Sequence, residues 1–269
     1  MNYRILPLYA VVALLSFSSC KNQENNEEEE NKTEKSVRDT ESQNINIEPL
    51  KESPAYQDSG LSLIIPENNQ FTKNTVEFKF NVDNYELGAQ TTKNEITSRL
   101  ANSDKGQHIH FIVDNEPYSA HYETEFSKDF SEGTHHIVAF LSRSYHESVK
   151  NDQSFITKTI KIGSSPDERS NVDFKKPTLI YSRPKGEYSG KDIENLLLDF
   201  FLLNTTLSEN GNYVKATING ETFKITKWQP YIIKGLSKGQ IDIRLQLFDN
   251  NDQPIKGEYN DVTRSVLLK

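Results

Sequence analysis

The sequence predicts an all-β protein of two tandem β-sandwiches behind a polar N-terminal tether. Three observations lead there: apolar residues recur at every second position, the chain repeats itself once, and residues 21–55 lack the composition of a core. Its 269 residues are 34% hydrophobic and 26% charged, which supports modest cores and excludes wholesale disorder. One cysteine and one methionine, the initiator, exclude an intrachain disulfide, a cysteine-rich zinc site and a methionine-rich copper(I) site. A formal net charge of −8 argues against a nucleic-acid partner, because holding phosphates needs clustered Lys and Arg.

At the N-terminus, Arg4 precedes a mostly apolar run from Ile5 to Phe17, followed by Ser18, Ser19 and Cys20. The run is too short for the roughly 20 residues of a spanning helix, so 1–19 reads as a secretory signal. The lone cysteine after two small residues resembles the lipobox of bacterial lipoproteins, with Phe17 where that motif usually has Leu. This resemblance implies lipidation at Cys20 and a lipid anchor in a membrane. Residues 20–57 then read as a disordered tether: ten acidic against five basic residues within 21–55, and too few apolar ones to offset chain entropy. Lys21, Glu24 and Glu27 to Glu30 resemble the acidic signal that sends Bacteroidetes lipoproteins to the outer cell surface. The alternatives are a plain spacer and a periplasm-facing position at the outer membrane.

Self-comparison divides the rest. The stretch from Gly106 aligns with that from Gly211 with a single one-residue gap, and Phe80, Val82, Asn84 and Leu87 match Phe200, Leu202, Asn204 and Leu207 at a constant offset. The expected domains are 58–164 and 175–269, joined by 165–174. Val76, Phe78, Phe80 and Val82 alternate with polar residues, as do Ile241, Ile243, Leu245 and Leu247. Such alternation marks half-buried antiparallel strands. Asp114-Asn115 and Asn219-Gly220 stand at equivalent points between strand patterns, where such pairs favour two-residue hairpin turns. About seven strands in about 100 residues indicate an immunoglobulin-like sandwich, with a barrel as the alternative. Asn94 to Ser103, inside an insertion that the second copy lacks, reads as a short helix.

The run of Gly106, His108, His110 and Asp114, then Gly133 and His135, resembles repeats in surface and secreted Bacteroidetes proteins with immunoglobulin-like domains. The resemblance covers the first copy and implies fold and location; it implies no activity. The second copy keeps the glycines and loses every histidine.

All six histidines fall between 108 and 146, and their places in the second copy hold Tyr213, Lys215, Thr226, Ile241, Asp242 and Asp252. The fold itself therefore does not require histidine there. A two-residue turn at Asp114 and Asn115 sets Val113 opposite Glu116 and His108 opposite His121, with His110 diagonal to His121. Ile109, Phe111 and Val113 take the core face, so His108, His110 and His121 project outward in a pattern that suits Zn or Cu, with His136 as an extension; the alternatives are a solvated polar sheet face and a His-aromatic surface for a partner. His135 turns inward as a core-edge histidine bonded to backbone.

Arg143, Ser144, Tyr145, His146 and Lys150 form a ligand or partner loop, expected near the 88–105 insertion at one end of the sandwich. Ser142, Arg143 and His146 resemble the Ser-Arg-x-His run of forkhead-associated phosphopeptide domains, one residue longer and without the accompanying Gly-Arg; the loop would clamp an anion. Tyr213, Trp228 and Tyr231 offer a stacking platform for a glycan or a protein, although the same rings equally suit a core. Gly235 to Gly239 matches the Gly-x-Ser-x-Gly elbow, but a strand follows it where the elbow needs a helix. No catalytic residue emerges, Glu123 being the one base near the histidines. The sequence thus predicts a non-enzymatic surface binding module.

Overall fold

A computed structural model describes residues 44–164 and 172–269; Cys20, the signal and the acidic run lie outside the described residues. Strand β1 (Asn46–Pro49) comes first. The first copy follows as β2 (Gly60–Ile65), β3 (Gln70–Phe71), β4 (Thr75–Asp83), β5 (His108–Val113), β6 (Ser119–His121), β7 (Glu125–Asp129), β8 (Gly133–Ser142) and β9 (Phe155–Ile162). The second comprises β10 (Thr178–Arg183), β11 (Gly186–Tyr188), β12 (Leu196–Leu203), β13 (Tyr213–Ile218), β14 (Glu221–Ile225), β15 (Tyr231–Lys234), β16 (Gly239–Phe248) and β17 (Asp261–Leu268).

Each copy is a sandwich of two sheets, and the two copies agree strand for strand. Sheets β2-β4-β7 and β3-β9-β8-β5-β6 make the first; β10-β12-β15 and β11-β17-β16-β13-β14 make the second. In both, the opening strand crosses between sheets: β2 and β10 pair antiparallel in the small sheet, and β3 and β11 run parallel to the last strand. The fold is all-β, two immunoglobulin-like sandwiches. Alternation places Val76, Phe78 and Phe80 against Ile109, Phe111, Ile137 and Leu141 in the first core. Asp114, Asn115, Asn219 and Gly220 all have positive φ, the conformation that a tight hairpin turn demands.

Four features depart from the sequence expectations. Residues 44–57, assigned to the tether, belong to the folded unit: β1 pairs with β15 of the second sandwich, and Ile45 and Leu50 are buried. The expected helix is one 3-10 turn, Thr97–Arg99, whose start is held by the Asn94 carboxamide accepting from Ile96 and Thr97. The outer face of β5 and β8 is not solvated. Ile112, Tyr118, Val138 and Phe140 pack there against Ile180, Phe201, Leu203 and Tyr259 of the second sandwich.

The fourth departure is a register shift in the β5–β6 hairpin. Glu116 donates to Val113 as the turn requires, yet Phe111 pairs with Ser119 and Ile109 with His121. Pro117 and Tyr118 therefore stand against Ile112 alone, an extra residue of the kind that makes a bulge. Proline has no N–H to give the ladder, and the freed Tyr118 carbonyl accepts from Lys185 of the second sandwich. The equivalent hairpin, β13–β14, keeps one register throughout.

Candidate metal centre

The register shift decides which imidazoles meet. His121 lies opposite Ile109 on the core side, stacks on Phe126 at 3.4 Å and contacts the Ser119 hydroxyl; it is not beside His108. His136 is also outside the group. It lies four residues along β8 from Phe140, the partner of His110, which is about 13 Å of strand, and its Nδ1 meets Thr159 Oγ1 at 3.1 Å. The ring that joins His108 and His110 is His146, brought in by the turn after β8.

Their ring nitrogens converge. His108 Nε2 is 3.0 Å from His110 Nε2 and 3.1 Å from His146 Nδ1, and one ligand atom from each of the three lies within 4.8 Å of the others. His108 and His110 share a face because strand side chains alternate, and both are fully buried. His146 sits at φ +70°, in a turn closed by its N–H to the Arg143 carbonyl. Asp252, its counterpart, has φ +57°, so the fold asks for the left-handed region in both copies, where Asn, Asp and His are favoured. In the second copy two of the three positions meet, with other chemistry: Tyr213 donates to Asp252, while Lys215 lies over the Phe248 ring.

Hydrogen-bond accounting shows what the first copy's trio suits. His108 Nδ1 faces the Gly106 carbonyl at 2.8 Å and must be its donor, leaving the Nε2 lone pair pointing at the other two rings. His110 Nδ1 is held by Ser182 Oγ of the second sandwich at 3.2 Å. Two ring nitrogens thus crowd one lone pair. A cation between them would take a lone pair from each ring while Gly106 and Ser182 keep the outer nitrogens, the arrangement usual for metal-binding histidines. Donors on a tetrahedral ion about 2.05 Å away stand about 3.3 Å apart, close to the two spacings of 3.0 and 3.1 Å that His108 Nε2 makes.

Electrostatics keep the rings neutral. Burial pushes His108 down to about 4, and burial with the neighbouring His108 and His146 holds His110 well below its usual range. His146 is depressed by burial, then by Arg183. Neutral imidazole is the form that binds metals. Tyr118, buried, stacks on His110 at 3.4 Å with its hydroxyl 3.2 Å from His146 Nδ1. Lys185 Nζ is 4.0 Å from the Tyr118 ring centre and the Arg183 guanidinium 5.4 Å.

The other expected sites are absorbed by packing. Arg143 pairs with Glu147 and donates to the Pro54 and Ser148 carbonyls. Ser144 exchanges hydrogen bonds with Thr91 of the insertion, which does lie against this loop. Tyr145 is buried with Leu50, Leu100, Leu197 and Ile232, and Lys150 pairs with the buried Asp199. These groups clamp the protein to itself rather than an anion. Tyr213 and Tyr231 are each 7% exposed, and the half-buried Trp228 donates to the Phe200 carbonyl. They present no shared open face for stacking. His135, as expected, is a core-edge residue, bonded to the Ser131 carbonyl and to Asp114.

Sequence reasoning missed Tyr118, Ser182, Arg183 and Lys185. One signal was present: Leu196 to Leu203 reads LLLDFFLL, without alternation, which marks a strand buried on both faces and hence a neighbour beyond the sandwich.

No family model and no curated protein matches the chain. Solved structures do. The fibronectin(III)-like modules of Clostridium thermocellum CbhA align over 78% of this chain and 94% of theirs, at 13% identity and a TM-score of 0.27. The Bacteroides ovatus mixed-linkage glucan utilization locus protein SGBP-B, in complex with a mixed-linkage heptasaccharide, aligns over 77% of this chain and 47% of its own, at 12% and 0.24. A central fibronectin-III array of RIM-binding protein aligns over 82% and 71%, at 11% and 0.24. Function has to be read from the site's own geometry.

Proposed function

We propose that the protein is a lipid-anchored binding module of the bacterial outer membrane, exposed at the cell surface, that holds one Zn²⁺ or Cu²⁺ on His108, His110 and His146. The convergence of three neutral imidazole nitrogens carries this reading, because His108 and His110 have their outer nitrogens held and their inner ones aimed at one point. The anchor rests on Cys20 and the acidic run behind it. Tyr213, Lys215 and Asp252, at the same places in the second copy, leave that sandwich without an equivalent centre.

Titration of the metal-free full chain tests it. One ion should bind per chain, His108→Asn or His146→Asn should weaken binding at least about 100-fold, and His121→Ala should leave it unchanged. Binding that survives His108→Asn, or that follows His121, overturns the site. Labelled palmitate should enter the wild type and not Cys20→Ala; label retained by the variant removes the anchor.

A further inference from the structure

We propose that the Tyr118 phenol oxygen is the fourth donor, closing the centre into a three-histidine, one-tyrosine set buried between the sandwiches. This rests on the metal reading above and adds what it leaves open, the remaining position on the ion. The hydroxyl is 3.2 Å from His146 Nδ1, and the ring lies flat on His110, 12° from parallel.

The hairpin explains how it got there. In the regular register a two-residue turn implies, Tyr118 would oppose Phe111 and face the core. The extra residue at Pro117 turns Tyr118 to the histidine side and His121 away from it. Bulges re-aim side chains and recur beside functional sites; the second copy, without the histidines, has none in this hairpin. The irregularity and the imidazoles occur together in one copy and are absent together from the other.

Charge favours the same oxygen. Three neutral imidazoles offset none of a dication's charge, and Arg183 and Lys185 already stand against the Tyr118 ring. Coordination breaks the phenol O–H bond, forms an oxygen–metal bond and releases one proton to solvent, with no electron transferred. The phenolate supplies the one negative charge in the set. A site with four protein donors keeps no open position for a substrate or a reactive water, which is the signature of a holding or structural centre.

Cu²⁺ added to the metal-free full chain is the probe. The wild type should show a visible phenolate-to-copper charge-transfer band at one ion per chain. Tyr118→Phe, which keeps the stacked ring, should lose the band and bind about tenfold more weakly or worse, and Tyr122→Phe should keep it. A wild-type copper complex that depends on His108 yet shows no such band overturns the tyrosine and leaves the three-histidine site standing. A band that persists in Tyr118→Phe does the same. A wild type that takes up no copper removes both.

Discussion

Lys150 shows how far a residue's role can move once its surroundings are known. Its ammonium pairs with Asp199, a carboxylate with no exposure, and the other oxygen of Asp199 accepts from the Ser148 N–H. Stripped of its cation, that buried charge has no water to turn to. Lys150→Ala should cost about 3–5 kcal/mol, read as a lower urea midpoint at neutral pH; a loss below about 1 kcal/mol would mean the pair is effectively solvated. His121 carries a second consequence. Burial, then the nearby Lys128, lowers it to about 4 from its ordinary 6.5, so the unfolded chain binds the extra proton between those values. Stability from this ring is complete above pH 6.5, falls as pH drops, and is gone below about 4. Allowing for the ring's partial exposure, about 1 kcal/mol is lost at pH 5. His121→Phe should make that part of the pH profile shallower in urea melts, the rest of the slope belonging to the other buried histidines, and an unchanged slope would contradict the assignment.

At the scale of elements, the N-terminal strand turns a supposed tether into part of the second sandwich. β1 covers the edge of β15, Leu50 seats with Tyr145, Leu197 and Ile232, and the chain then crosses to the first sandwich, where Tyr56 donates to Gln107. Leu50→Ala should cost about 2–5 kcal/mol, with hydrogen exchange rising first along β15; exchange confined to the first sandwich would argue against this placement. Its strand was hard to read because Ile45, Ile47 and Leu50 are isolated among polar residues, and a four-residue edge strand is sustained by its partner rather than by its own pattern. The longer strands were legible for the opposite reason. Val76 to Val82 and Ile241 to Leu247 alternate strictly, and the Asp114-Asn115 and Asn219-Gly220 turns announce themselves. The bulge at Pro117 was not legible: one added residue leaves composition and turn chemistry intact while exchanging the two faces, which is how His121 left the site and Tyr118 entered it.

For the whole molecule, the shared apolar layer makes the two sandwiches one folding unit rather than two beads. Phe140 of the first stacks on Phe201 of the second with centroids 5.0 Å apart, and Phe201 also meets Phe155 and Trp228. Trp228 is the chain's only tryptophan, so its emission reports on this junction and on the second core together. Two sandwiches coupled through buried aromatic surface should melt cooperatively: in the wild type, tryptophan emission and far-ultraviolet circular dichroism should trace coincident urea transitions. Phe140→Ala removes one face of the stack and leaves each sandwich's own core untouched. It should cost about 3–5 kcal/mol and pull the two probes apart, with one sandwich unfolding before the other. Separate transitions already present in the wild type would show that the sandwiches fold independently, and coincident, unshifted ones in the variant would show that the Phe140 stack does not couple them. The candidate centre depends on the same junction, because Ser182 reaches His110, and Arg183 and Lys185 reach Tyr118, only while the two sandwiches stay joined.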